Sequence, residues 1–366
     1  MASASPPAQD RSCVILATND YSSHTYTLHH IDAAPFFSRP DPDNQAMDDG
    51  IPLPPASARF ARPPDARGCS LEFHLLRGCE RDAGVKVVST DAERRTVIYD
   101  VARRAVGEGL FVLERTLASG LRRFEALRYD PLREDWYWYG LPLPPYVRDP
   151  GYRRSSVTAL TAAAGGRIWT TTEGVGTYSF DTRRRSWRKE GDWALPFLGK
   201  AEHVPGRGEG GDGLSFGFLA VECNGYTSPN GPLCAVDLAT ATADSPPVVR
   251  GVWEDFKPPG EWTPSTPSLV HLGSGKMCIF RFFQTDRTGG SRNRRLVVIT
   301  GVEVSADDGE IKMVKHRSKC IRSAGLEHTA SVDNVADRIA KLQHAESVDN
   351  VDDIIGELEE TESLQM

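Results

Sequence analysis

Several stretches of the chain carry residue types that do chemistry, and each lacks one part of the arrangement that the chemistry requires. Gly206-Arg-Gly-Glu-Gly-Gly211 has the Gly-x-Gly-x-x-Gly spacing of a phosphate cradle, in which backbone amides meet a pyrophosphate at a helix N-terminus. No helical pattern follows Gly211, so the segment reads as an inter-strand loop. Leu272-Gly-Ser-Gly-Lys276 lacks the four-residue spacer of a P-loop and places Met277 where a Ser or Thr would hold magnesium, so a hairpin turn is expected. Asp41-Pro-Asp-Asn-Gln-Ala-Met-Asp-Asp-Gly50 is acidic enough for calcium, but Pro42, the displaced glycine and the missing twelfth-position Glu leave a solvated loop. His24, His29 and His30 cluster in sequence, yet a regular strand puts 24 and 30 on one face and 29 on the other, as expected of surface histidines. Carboxylates such as Glu173 and Glu222 cannot be placed from sequence. No catalytic residue, metal site or cofactor is therefore assigned.

The seven cysteines (13, 69, 79, 223, 234, 278 and 320) are odd in number and contain no Cys-x-x-Cys pair, which argues against a disulfide framework and a zinc finger. Reduced, buried thiols are expected. No apolar run reaches 18 residues, and the first ten residues have neither the basic start nor the apolar core of a secretory signal. A cytoplasmic or nuclear location without membrane association follows, and an organellar one stays open. The net charge of -7 is uneven: from Ser323 onward eleven Asp/Glu stand against two Lys/Arg, so residues 1 to 322 carry +2. That near-neutral body gives no reason to expect nucleic-acid binding.

The elements that must position any site repeat along the chain. A short β-branched and aromatic run ends in Asp and leads into a polar turn: Tyr26 to Asp32, Thr96 to Asp100, Ala126 to Asp130, Gly176 to Asp181 and Leu233 to Asp237, with Leu296 to Glu303 as a last copy. Alternation sends every second side chain into packing between sheets, and the terminal Asp can accept hydrogen bonds from the turn that follows. Prolines between Pro35 and Pro64 suggest an insertion over residues 35–66.

The fullest copy, Ala162 to Trp187, resembles the kelch repeat: paired Gly165 and Gly166, then Tyr178 and Asp181, then Trp187. The chain also looks like uncharacterised plant, grass-type kelch-like and F-box-associated propeller proteins. Trp136-Tyr-Trp-Tyr-Gly-Leu-Pro-Leu-Pro-Pro145, Gly174 to Asp181, Gly191 to Phe197 and Leu272 to Phe283 carry that likeness, while the dozen residues before Cys13 hold no F-box. The resemblance implies an all-β chain: a disordered N-terminus (1–11), a kelch-like β-propeller of about six irregular blades (12–322) and an acidic tail (323–366). Nothing marks the copper set of Tyr, Cys and His that a galactose-oxidase kind of kelch enzyme needs.

In the tail, His328 to Ile339 returns as His344 to Ile355 at a constant offset of 16, with Ser331 and Ser347 as helix caps, so two short amphipathic helices are expected. For the body, the expected role is a non-catalytic scaffold for a protein or peptide partner, acting as a monomer. The alternative is a hydrolase acting on a sugar or small molecule in a central channel. Trp136, Trp138, Tyr139 and Tyr146 are candidate aromatic anchors, and Arg183, Arg184 and Arg185 a candidate contact for an acidic partner.

Overall fold

The structure, a computed structural model, describes residues 13–20, 25–38, 48–61, 72–76, 86–90, 96–99, 109–113, 124–130, 135–153, 155–163, 166–206, 213–223, 226–285, 294–307, 310–323 and 328–331. They form an almost purely β architecture in which antiparallel units succeed one another along the chain. The first unit pairs Cys13–Asp20 with Thr25–Asp32 and the latter with Ala56–Ala61. Two three-stranded units follow, Glu72–Leu76 with Lys86–Thr90 and Thr96–Tyr99, then Gly109–Leu113 with Phe124–Asp130 and Asp135–Gly140. Next come two four-stranded meanders. One runs through Val157–Ala163, Arg167–Thr172, Gly176–Asp181 and Ser186–Gly191, the other through Phe197–Val204, Leu214–Leu219, Leu233–Asp237 and Val248–Trp253. Their first strands lie parallel, Ala159 beside Gly199 to Thr161 beside Ala201, which fuses them into one eight-stranded sheet. The last unit is built from Ser268–Gly273, Lys276–Thr285, Arg294–Asp307 and Glu310–Ser323.

The two ends of the described chain meet. His328–Ser331 pairs antiparallel with Cys13–Asp20, so the first sheet holds strands from both ends. This strand stops at Ser331, the expected cap of the first tail helix, so both expected helices lie outside the described residues. The remainder of the tail and the expected N-terminal disorder lie outside the described residues. Two strands lie within the expected proline-rich insertion 35–66. Asp48–Pro52 pairs in parallel with Glu310–Ser323, and Ala56–Ala61 completes the first sheet. Pro52 closes one strand and Pro54 and Pro55 precede the next, positions where a missing N–H costs the ladder nothing.

The Asp-terminated runs lie on strands, and three of the aspartates shape the turn that follows. Asp32 Oδ1 accepts from the Ala34 amide at 3.0 Å, Asp181 Oδ1 from the Arg183 and Arg184 amides at 3.0 and 2.9 Å, and Asp237 Oδ1 from the Ala239 amide at 3.1 Å. The core lies between the units. Phe124 meets Phe180 edge-on at 4.7 Å with Trp187 over both, while Val14, Leu16 and Ile31 of the first sheet pack on Phe280, Val297 and Ile299 of the last.

Candidate interaction surface

Val248–Trp253 is the last strand of the eight-stranded sheet, and among the described residues no strand pairs with its outer edge. Its sequence, Val-Val-Arg-Gly-Val-Trp, is that of a strand: β-branched and aromatic residues interrupted by one glycine. A bulge at Arg250 breaks the register with Leu233–Asp237, so Val249 lies opposite Val236 and Val252 opposite Cys234. Strict alternation would send residues three apart to opposite faces; the extra residue returns both valines to one face. Cys234 and Val236 are fully buried there with Trp169, Leu195 and Leu238, whereas Val249 and Val252 are 37% and 50% exposed. The apolar layer therefore continues to the surface as a ledge beside an edge that no described strand pairs. On the opposite face Trp253 packs on the cluster that holds Phe216, Leu233, Ala235 and Met277, and a side chain at Gly251 would collide with the Trp253 ring at 2.5 Å.

Both ends of this edge are fastened. At the start, the Thr240 hydroxyl accepts from the Val248 amide at 2.8 Å and donates to the Asp237 carbonyl, and Arg250 reaches Asp237 at 3.2 Å. At the end, Asp255 takes two guanidinium nitrogens of Arg281, Nε approaching its oxygens at 3.1 and 2.9 Å. Arg281 also donates to Asn230 Oδ1 at 3.0 Å and the Gly231 carbonyl at 3.1 Å, and lies over the Phe218 ring at 5.0 Å. Asp255 and Arg281 are 1% and 3% exposed, so this is a buried, multiply bonded ion pair. Lys315 also feels the Asp255 charge, but burial outweighs it and pulls its pKa down.

The residues singled out from sequence fall in several places. Trp138 is half-buried and Tyr139 is 36% exposed on the strand Asp135–Gly140; the side chain of Trp136 lies outside the described residues. Tyr146 is not a surface anchor. The 3-10 turn Pro145–Arg148 tucks it inward, 3% exposed, where its hydroxyl bonds Thr172 at 2.7 Å and its ring meets Tyr178 at 4.9 Å. Burial pushes its phenol pKa far above the ordinary value. Arg183, Arg184 and Arg185 are exposed at a hairpin tip, with Arg185 in the left-handed region (φ 52°) and Arg184 near Asp181 at 3.7 Å. Gly166, also left-handed (φ 76°), accepts at its carbonyl from the Thr182 amide and hydroxyl; Gly165 lies outside the described residues. Trp187 Nε1 donates to the Pro142 carbonyl at 2.6 Å, tying the third unit to the fourth.

Glu173 and Glu222 are both exposed, Glu173 on the turn after Arg167–Thr172 and Glu222 on the short strand Val221–Cys223. His29 is buried: Nδ1 donates to the Pro54 carbonyl at 2.6 Å and Nε2 accepts from Thr27 at 2.8 Å, and desolvation lowers its pKa. His30 is exposed, and His24 lies outside the described residues. Among the described residues no three His, Cys, Asp or Glu side chains gather as a metal set would, and no helix is long and apolar enough to cross a membrane.

The edge strand was not read as a site from sequence. Its signal is Pro246-Pro247 followed by a valine-rich run closing in Trp253, the strand that follows Asp237 as Ser186–Gly191 follows Asp181. The longer connection through the 3-10 turn Leu238–Thr240 concealed the equivalence.

A family described as "Protein of unknown function (DUF1668)" matches residues 11–109 and 102–321. The chain belongs to this DUF1668 family. No curated protein matches it. Among solved structures, a crystal structure of a protein from Lactobacillus plantarum is similar at 12% identity, covering 84% of this chain and 99% of that one with a TM-score of 0.33. A score that low adds nothing to the DUF1668 chain's own geometry.

Proposed function

We propose that this DUF1668 chain is a non-catalytic interaction scaffold with the architecture of an irregular, kelch-like β-propeller, and that the open edge Val248–Trp253 takes up an extended segment of a protein partner. Three features support the propeller reading. Antiparallel units follow one another, the first strands of two successive units run parallel as inner strands of neighbouring blades do, and strands from both ends share the first sheet.

The observation that carries the binding role is the ledge of Val249 and Val252 beside an edge that no strand among the described residues pairs. Long apolar edges are ordinarily blunted by charge, proline or covering chain, because unpaired N–H and C=O groups recruit strands. At the other end of the same sheet, Ser186–Gly191 shows that blunting with Arg188, Lys189 and Glu190. Val248–Trp253 instead has one charged residue, Arg250, partnered by Asp237. The ligand that fits is an extended peptide with β-branched or aliphatic side chains at alternate positions, held by main-chain bonds and selected by the ledge.

The test is affinity purification of the tagged chain from its native cells, beside Val249→Asp/Val252→Asp. Thermal melting of the double variant within a few degrees of the parent shows that the sheet is retained. A stoichiometric partner kept by the parent and lost by the double variant is the expected result. Equal recovery with both chains would overturn the edge as the binding site, and no stoichiometric partner with either would overturn the scaffold role.

A further inference from the structure

The last strand of the last unit, Glu310–Ser323, is half covered. Asp48–Pro52 pairs with its end, from Lys319 to Arg322, and no strand among the described residues pairs with the outer edge of 310–318. That open stretch concentrates positive charge. Lys312 is 62% exposed, with Glu310 at 3.8 Å as a loose partner, Arg317 is exposed, and Lys315 is half-buried. Val314 lies between them, 43% exposed.

The chain carries a segment of opposite character. Residues 344–366 hold eight Asp/Glu and no Lys or Arg, interspersed with Val348, Val351, Ile354, Ile355 and Leu358. The point of departure favours the meeting. Ser331 ends a strand of the first sheet, and that sheet packs directly on the last unit through Val14, Leu16 and Ile31 against Phe280, Val297, Ile299 and Ile321. The intervening residues 332–343 span up to roughly 40 Å when extended. A tethered segment meets a nearby site at high effective concentration, so modest pairwise attractions suffice. The arginine tip at 183–185 is a poorer match: Asp181 already pairs with Arg184 and accepts from two amides of the tip, and the tip stands on a different sheet from the one the tail leaves.

We propose that the acidic segment 344–366 of this chain docks on the basic open edge Lys312 to Arg317, its carboxylates meeting Lys312 and Arg317 and its aliphatic side chains covering Val314. This is independent of the scaffold reading, which concerns a different strand. Exposed ion pairs are individually weak and screened by salt, so the docking is reversible and favoured at low ionic strength.

The experiment compares the full chain with one ending at Ser331, which keeps the strand that pairs with Cys13–Asp20. Hydrogen exchange at 310–318 is expected to be at least about threefold faster in the shortened chain at low salt, with the difference vanishing in 0.5 M salt. A labelled peptide of residues 344–366 is expected to bind the shortened chain, to bind the full chain roughly tenfold more weakly, and to lose about tenfold on Lys312→Glu/Arg317→Glu. Thermal melting of that variant within a few degrees of its parent shows that folding is retained. Identical exchange in both chains, or peptide binding indifferent to the two reversals, would overturn the proposal. Sensitivity to Arg183→Glu/Arg184→Glu instead would overturn it in favour of the arginine tip.

Discussion

Asp255→Asn tests whether the end of the edge strand is held as described. The substitution is nearly isosteric and removes the charge opposite Arg281, whose side chain is 4% exposed and cannot turn to water. The bonds to Asn230 and Gly231 remain, so the loss is that of an uncompensated buried cation, about 3–5 kcal/mol. Against a global stability of roughly 5–15 kcal/mol this is a fifth or more, enough to lower a urea midpoint by about 1 M or more. Tryptophan fluorescence with urea provides the assay, and an unchanged m-value shows that the folded surface is intact. The double variant Asp255→Leu/Arg281→Met removes both charges and is expected to recover to within about 2 kcal/mol of the parent, because an apolar pair replaces a costly desolvation. A loss below about 1 kcal/mol for Asp255→Asn, or a double variant no better than the single, would refute the buried-pair argument.

His29 is held neutral by burial, so its folded pKa lies below the unfolded value of 6.5. Its contribution is complete above pH 6.5 and declines as pH falls below it, because the unfolded chain then binds a proton the folded chain refuses; urea midpoints at pH 7.5 and 5.5 should differ less for His29→Gln than for the parent. Gly176→Ala should cost about 2 kcal/mol or more, since φ is 104° and the new Cβ would lie 2.5 Å from the Gly191 carbonyl oxygen; thermal melting checks this. Cys234 and Cys278, with pKa values pushed up to about 12 by burial, should resist thiol reagents at pH 8 until urea unfolds the chain, as mass spectrometry of alkylated peptides would show.

The all-β class was legible because the Asp-terminated runs are local signals. The strand and the bond that closes it sit within a few residues, as Asp181 and the Arg183 and Arg184 amides show. What depends on distant partners was not legible. Tyr146 looked like a rim aromatic among prolines, and only the packing of Tyr178 and Thr172 reveals that it turns inward. Nothing local marks His328–Ser331 as a strand, because its partner stands more than 300 residues earlier. The Arg281 and Asp255 pair is separated by loops no spacing rule connects, and the common face of Val249 and Val252 depends on a bulge that alternation alone does not announce.

The central claim is that Val248–Trp253 is the strand to which a partner adds. Amide hydrogen exchange of the full chain, alone and with the partner recovered by affinity purification, tests it most directly. The account predicts new protection at the outward-facing amides of 248–253, absent for Val249→Asp/Val252→Asp. Protection confined to other strands, with 248–253 exchanging as in the free chain, would contradict it.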